Sequence, residues 1–318
     1  MAIVVTGGAG FIGANLLRGL VRRGETDLIV VDELDGSSKM ANLEGMALRA
    51  LIDRDEFRRA LRDNDPWLEE VTTIIHLGAC SRTDEADEDY LMDTNLAAST
   101  EILDHCVATR TPLIYASSAA VYGRSPQMAE RPENDDPLNA YARSKVLFDH
   151  AVRRALPGLA SQVVGLRFFN VYGPREEHKG SMASLVTQLA RAIDEGQPAT
   201  LFDQSLGFPA GGHRRDFVHV DDVVDVICWF LVHPDVGGIF NCGTGEDRSF
   251  QDLAAAVIRV CGRGAIQYRP MPPSLRSSYQ PFTRADLREL RRAGCDVSFR
   301  RLEQGVADTL LAPAETVR

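Results

Sequence analysis

The six cysteines, at positions 80, 106, 228, 242, 261 and 295, include no Cys-x-x-Cys pair. Without it there is no zinc-type spacing and no disulfide framework to read, and scattered thiols suit a reducing cytoplasm. A basic excess is missing too. The 318-residue chain carries a net charge of −10, whereas a nucleic-acid surface requires a basic face. No apolar run reaches membrane-spanning length, and Met1-Ala-Ile-Val-Val-Thr6 leads straight into a strand rather than a signal peptide. Internal repeats and low-complexity segments are absent as well. The expectation is a cytoplasmic globular protein with no metal site, no nucleic-acid partner and no membrane partner. Its 44% hydrophobic and 25% charged residues are ordinary for that class, and its length allows about two domains.

What is present begins at the first strand. Ile3–Thr6 is β-branched and runs into Gly7-Gly-Ala-Gly-Phe-Ile-Gly13, then an amphipathic helix to about Arg23. Gly8, Gly10 and Gly13 fit G-x-G-x-x-G in the context that matters, after a strand and opening a helix. Glycines there permit a tight turn and close approach of a pyrophosphate, while the helix offers free amides and a positive dipole end. Strand Leu28–Val31 ends at Asp32, where an acid meets the adenosine ribose of a dinucleotide. Asp32 points to NAD, but Lys39 and Arg54 could each hold a 2′-phosphate. At this level the choice between NAD and NADP stays open.

Further along, Thr73–Leu77 reads as a buried strand followed by Gly78 and Ala79, small enough for backbone to approach a cofactor. His76, inside that apolar strand, reads as a packed, hydrogen-bonded histidine. Tyr90–Arg110 reads as one long helix carrying Asn95, either a cofactor-side anchor or a helix-surface amide. Strand Leu113–Ser118 ends in two hydroxyls, Ser117 and Ser118, at the carboxyl edge where open α/β sheets keep their chemistry. Asn139–Leu156 reads as a helix with Asn139 as N-cap and Pro157-Gly158 as its stop. On it, Tyr141 and Lys145 share a face. A tyrosine, with a free pKa of about 10, is a poor base unless a nearby cation favours the phenolate. With strand Val163–Phe168, alternating strands and helices over 1–168 predict a doubly wound parallel sheet of the α/β class.

After Phe168 the texture changes. A polar loop at 170–180 precedes a helix expected over Ser181–Glu195. Strands are expected at Phe217–Val220 and Ile239–Cys242 around a helix at Asp221–His233, with short helices at 251–261, 283–293 and 301–311. The reading is a Rossmann domain over 1–168, rejoined by elements near 216–243, and a smaller substrate domain within 169–318.

These features together resemble the extended short-chain dehydrogenase/reductase superfamily. The carriers are Thr6-Gly-Gly-x-Gly-x-x-Gly13, the Ser117-Ser118 strand end followed by Val121-Tyr-Gly123, Tyr141-x-x-x-Lys145, and Arg167-x-x-Asn170-x-Tyr-Gly-Pro174. Within it the chain is similar to the ADP-L-glycero-D-manno-heptose 6-epimerase family. That likeness rests on His76-x-Gly-Ala-Cys-Ser81, Tyr115-Ala-Ser-Ser-Ala-Ala-Val-Tyr-Gly123, Pro174-Arg-Glu-x-His-Lys-Gly-Ser-Met-Ala-Ser184, Arg215-Asp-Phe-Val218 and Tyr279-Gln-x-Phe-Thr283.

The resemblance implies epimerisation at C-6″ of ADP-heptose through a transient ketone, with one tightly held NADP per subunit, NAD being tolerated. The product would be heptose for lipopolysaccharide core. It also implies homo-oligomers, typically pentamers. Tyr141 resembles the first base and Lys179 the second; Lys145 would hold the cofactor ribose and activate Tyr141. Ser118 or Ser117 would bond the reacting oxygen. The cofactor would lie against Gly7, Gly10, Phe11, Ile12, Gly13, Asp32, Glu33, Lys39, Arg54, Leu77, Gly78, Ala79, Asn95, Val171 and Lys179. The substrate pocket would comprise Asn170, Ser181, Gln188, Phe202, Asp203, Gln204, Ser205, Arg215 and Tyr279. Gln188 departs from a family histidine, the 206–213 loop is longer than usual, and Glu177 places a carboxylate beside Lys179. A 4,6-dehydratase would carry an Asp-Glu pair where Ala119-Ala120 stand. A non-catalytic dinucleotide sensor would usually lose the Tyr or the Lys, and another nucleotide-sugar epimerase is the nearest alternative.

Overall fold

The computed structural model describes residues 2–82, 85 and 87–311. Twelve strands are present among them: β1 (Ala2–Thr6), β2 (Leu28–Asp32), β3 (Ala50–Asp53), β4 (Val71–His76), β5 (Leu113–Ser118), β6 (Val163–Phe168), β7 (Asn170–Tyr172), β8 (Ala199–Phe202), β9 (Arg214–His219), β10 (Gly238–Cys242), β11 (Asp247–Ser249) and β12 (Ile266–Arg269). The helices are α1 (Phe11–Arg22), α2 (Arg54–Asp63), α3 (Glu88–Leu91), α4 (Ala98–Thr109), α5 (Ala140–Ala155), α6 (Leu185–Asp194), α7 (Val220–Leu231), α8 (Phe250–Cys261), α9 (Arg288–Arg292) and α10 (Leu302–Leu311). None of the described helices is long and apolar enough to cross a membrane.

Seven strands form one sheet in the order β10-β6-β5-β4-β1-β2-β3, every neighbouring pair parallel. A parallel sheet needs cover on both faces, and β1 displays how a continuous apolar run meets that need. Alternate side chains point to opposite faces. Ile3 and Val5 pack with α1 and α7 residues such as Leu16, Leu20 and Val224. Ala2 and Val4 pack on the other face with Phe57, Ile102 and Phe148. Strand β10 and helix α7 come from late in the chain yet complete this sheet and its cover.

The remaining elements build a smaller unit. Strands β11-β9-β7 form one small sheet and β12-β8 another. Helices α6, α8 and α10 close over them, burying Val186, Leu189, Leu253, Val257 and Val306. The expected helix over 283–293 is only Arg288–Arg292. The preceding segment is drawn onto β9 instead, because the buried carboxylate of Asp216 accepts a hydrogen bond from the Ala285 amide at 3.0 Å. Likewise the helix expected from Ser181 starts at Leu185, with Ser184 as its cap, and residues Glu177–Met182 form tight 3-10 turns.

Candidate active site

In the large sheet the order reverses between β1 and β4, so the chain leaves their carboxyl ends in opposite directions. Open α/β folds place their ligands in the crevice at that point. Here the crevice opens into a cleft of about 1420 Å³. Gly7 leaves β1 at φ +66°, and a Cβ on it would lie 2.7 Å from the Gly78 amide nitrogen. A Cβ on Gly13 would lie 2.2 Å from the Gly7 carbonyl oxygen. No side chain caps α1, whose first turn also lacks acids, so the amides of Phe11, Ile12 and Gly13 are left for a ligand. A tight glycine turn feeding an uncapped twelve-residue helix fits a dinucleotide pyrophosphate. One glycine differs from the G-x-G-x-x-G spacing. A Cβ on Gly8 would meet Val30 Cγ1 at 2.7 Å, so Gly8 faces β2, and the glycines of this loop that line the cleft are Gly7, Gly10 and Gly13.

Asp32 ends β2 almost buried. Its Oδ2 accepts from the Ala9 amide at 2.8 Å, and its Oδ1 from the Glu33 amide at 2.8 Å and from Lys39 Nζ at 2.9 Å. Glu33 pairs with Lys39 at 3.6 Å and hydrogen-bonds Arg54. All four side chains line the cleft, as do Leu77, Gly78, Ala79 and Val171. Asn95 does not. It is 1% exposed, accepts from the Cys80 amide at 2.8 Å, and donates to the Cys80 carbonyl and to Ser144 Oγ. Asn95 is thus a buried amide rather than a helix-surface one. It lies in a wide π-helical turn, Met92–Ala97, that interrupts the expected long helix, and it ties the loop after β4 to α5. His76 is packed as expected, hydrogen-bonded to Thr6 and Ser99.

Helix α5 starts where Asn139 accepts from the Ala142 amide at 2.8 Å. Its first turns bring Tyr141 and Lys145 to the cleft. Burial raises the Tyr141 phenol above its ordinary value, and a hydrogen bond with Ser118 opposes that rise. Burial pulls Lys145 down to about 8, against the charge of Asp149 one turn on. The ammonium donates to the Ala116 carbonyl at 2.9 Å and stands 6.0 Å from the tyrosine ring centroid. The paired serines also separate. Ser118 faces Tyr141, whereas Ser117 is turned inward and donates to Asp149 Oδ2 at 3.0 Å.

The 177–182 turns carry Lys179 into the same cleft, 5.1 Å from the Phe11 ring centroid. Its carboxylate neighbour is the buried Glu176 at 3.4 Å, not Glu177, because the tight turn folds the side chain back by three residues. Arg215 is 7% exposed yet lines the cleft, stacked between Phe250 (5.5 Å) and Tyr279 (5.2 Å). Burial lowers its pKa, and Tyr279 opposes that effect. Among the described residues it has no carboxylate partner: the adjacent Asp216 is spent on the amides of Thr244, Gly245 and Ala285. A buried, unpaired guanidinium at a cleft wall is a ready receptor for a bidentate anion. Asn170, Ser181 and Tyr279 also line the cleft.

Gln188, Phe202, Asp203, Gln204 and Ser205 lie outside the residues that line it. Gln188 spends its amide on the carbonyls of Ser181 and Ala183. Phe202 packs edge-on against Tyr279 at 5.9 Å, Ser205 closes a turn against His213, and Asp203 and Gln204 are exposed.

Residues 3–243 match the model of the NAD dependent epimerase/dehydratase family. The chain belongs to that family. It is 49% identical over 313 residues, 98% of both chains, to ADP-L-glycero-D-manno-heptose-6-epimerase of Alkalilimnicola ehrlichii. The crystal structure of Helicobacter pylori ADP-L-glycero-D-manno-heptose-6-epimerase superposes with a TM-score of 0.82 at 29% identity, covering 98% of this chain and 95% of that one. Thermus thermophilus UDP-glucose 4-epimerase, in complex with NAD, gives a TM-score of 0.79 at 29% identity over 97% of each chain. The resemblance seen in the motifs therefore holds along nearly the whole chain, and the chain is an enzyme of the nicotinamide-dependent epimerase family.

Behind that family site lies a charge network that the sequence reading missed. Arg167, fully buried in β6, bonds Asp149 (2.8 Å) and Asp135 (2.9 Å) and covers the Tyr122 ring. Asp149 also accepts from Tyr115 at 2.9 Å. An arginine inside the apolar run Val163–Phe168, with an acid four residues past Lys145, was the available signal. A buried charge demands a partner. We expect Ser118→Ala to lower kcat by about 10²–10³, the usual loss for one oxygen-holding donor. Ser117→Ala should mainly cost stability, about 1–3 kcal/mol, by leaving an Asp149 oxygen short of a donor. Turnover and thermal melts of the two variants check this, and equal kcat losses would overturn the separation.

Proposed function

We propose that this enzyme inverts C-6″ of ADP-D-glycero-D-manno-heptose to give the L-glycero epimer, using NADP, with NAD tolerated. The observation that carries the reading is a second proton-transfer side chain, Lys179, delivered by a separate element to the cleft that holds Tyr141. A nicotinamide dinucleotide held at the Gly7–Gly13 loop would supply the chemistry of accepting a hydride and giving it back. Tyr141 takes the C-6″ hydroxyl proton as hydride leaves, and Ser118 holds the oxygen of the resulting ketone. Inversion requires that ketone to accept hydride on its other face, so its oxygen must be protonated from a different position. Lys179 supplies that proton. Lys145 orients the cofactor ribose, and Arg215 grips the sugar's diphosphate while Tyr279 holds the guanidinium in place.

Lys39 and Arg54, beside Asp32 on the cleft, support NADP. We assign 1–168 with the returning segment near 216–243 to cofactor binding and most of 169–318 to the substrate. Six free thiols support a cytoplasmic setting, and homo-oligomers follow from the resemblance. A UDP-sugar 4-epimerase is the second reading, favoured by the likeness to the Thermus enzyme.

Proton NMR of the protein with ADP-D-glycero-D-manno-heptose and no added cofactor tests the proposal. Appearance of the L-glycero epimer supports substrate, reaction and tightly held dinucleotide together. No change, even after NADP and then NAD are added, removes the heptose assignment. Arg215→Leu should raise the KM for the nucleotide sugar by about tenfold to a hundredfold, as for losing charge-assisted hydrogen bonds. Its dinucleotide affinity should stay within about twofold, since Arg215 faces the other ligand. Steady-state kinetics beside a dinucleotide titration would show it, and an unchanged KM removes Arg215 from the diphosphate.

A further inference from the structure

The geometry points to a second ligand site, an arginine-walled cavity apart from the cleft that takes a nucleotide-like phosphate ester. The cavity measures about 830 Å³, a size that suits a small molecule. It lies between the 126–129 segment, Gly245 and the stretch 282–292, and shares no lining residue with the cleft described above.

Its charge is opposite to that of the whole chain. Arg284, Arg288, Arg291 and Arg292 line it against one carboxylate, Asp286, in a protein whose net charge is −10. Arg288 meets Asp286 at 2.5 Å, and Arg292 bonds Glu289, which is not part of the lining. Arg284 stands 3.7 Å from Asp247, a carboxylate already bonded by Arg214. Arg291 has no carboxylate partner among the described residues; it donates to the Cys295 carbonyl at 2.6 Å. The Arg284, Arg288 and Arg292 side chains are each more than half exposed. Ion pairs that exposed hold weakly, and a phosphate offers the same guanidinium forks a bidentate partner of higher charge.

The rest of the lining is largely apolar. Met128 and Ala285 belong to a buried cluster, and Phe282 and Leu287 pack against it. An inorganic anion would satisfy the arginines and leave that surface bare, whereas a nucleotide carries both phosphates and a ring that can stack on Phe282. Fully buried polar side chains hold the wall in place. Asn241 donates to the Met128 carbonyl at 2.6 Å and to the Asp286 carbonyl at 3.0 Å, tying two sides together. Asp216 accepts from the Gly245 amide at 2.8 Å and the Ala285 amide at 3.0 Å. A cavity fixed in this way is formed before its ligand arrives, which spares part of the ordering cost of binding.

Calorimetric titration of ADP into the full-length enzyme saturated with NADP tests this. On the reading above, ADP also has a place at Arg215, so variants separate the two. Wild type should bind two ADP per chain, and Arg215→Leu should keep the one in the arginine cavity. The double variant Arg288→Gln, Arg292→Gln should weaken that one about tenfold or more and leave the other unchanged. Both arginines are exposed, so its melting temperature and turnover should match wild type. In Arg215→Leu, pyrophosphate should bind at least about tenfold more weakly than ADP, the loss expected without a stacked base. Both affinities should fall in high salt. A single ADP that Arg215→Leu abolishes, or ADP binding indifferent to Arg288 and Arg292, overturns the inference and leaves the cleft reading standing. Pyrophosphate as tight as ADP overturns the nucleotide class. If the double variant loses all ADP binding and Arg215→Leu loses none, the cavity stands and the reading of Arg215 fails.

Discussion

Lys179→Met should keep its dinucleotide and lose epimerisation by about 10²–10⁴, the range for removing a positioned proton-transfer group. The side chain lies against the Phe11 ring and beside Glu176. Methionine preserves most of its apolar length there and removes only the ammonium. Folding should therefore survive, because Glu176 keeps other donors, the Ser184 amide at 2.7 Å among them. Tyr141→Phe should give a loss of similar size through the other half of the reaction. NMR turnover beside a dinucleotide titration separates chemistry from binding. Full activity in Lys179→Met would remove the lysine from the mechanism. Lost dinucleotide binding would make it a cofactor contact instead.

Gly13→Ala should weaken dinucleotide binding by up to about a hundredfold. Its Cβ would stand 2.2 Å from the Gly7 carbonyl oxygen, a contact that backbone cannot relieve without moving α1 off β1. Overpacking of that kind costs up to about 3 kcal/mol, which corresponds to about a hundredfold in a dissociation constant. Gly8→Ala is the informative contrast. Its Cβ would press on the Val30 side chain, toward the sheet, so it should lower the melting temperature more than the affinity. Titration and melting of both variants would distinguish the two glycines. Wild-type affinity in Gly13→Ala would show that the turn is looser than its contacts imply.

Much of the large sheet was legible because its signals are local. Strands Leu113–Ser118 and Val163–Phe168 have the bounds expected from their apolar runs, and Asn139 caps α5 as its side-chain chemistry dictates. The edge strand Ala50–Asp53 and the helix after it were not legible. The strand has four residues, and the helix buries only Phe57, Ala60 and Leu61 among charges, so neither period is visible. The break in the helix carrying Asn95 was equally hidden. Nothing at 92–97 marks a wide turn; its cause is a partner at Cys80, fifteen residues earlier, reached only in three dimensions.

The chain's order of residues alone determined the dinucleotide loop, the Tyr141–Lys145 pair and the placement of a lysine in the 170–180 loop. Each depends on spacing along one element, and backbone geometry converts spacing into direction without help. Tertiary structure decided the rest. It turned Ser117 to Asp149 and Ser118 to Tyr141, gave Lys179 to Glu176 rather than Glu177, and left Arg215 without a carboxylate by spending Asp216 elsewhere. It also tied Gln188 to the Ala183 carbonyl, set Phe202 edge-on to Tyr279 and placed Glu33 between two cations. Those outcomes are competitions among donors and acceptors brought together from distant segments. A buried polar group takes whichever partner packing puts within reach, and that is settled only when the chain has closed on itself.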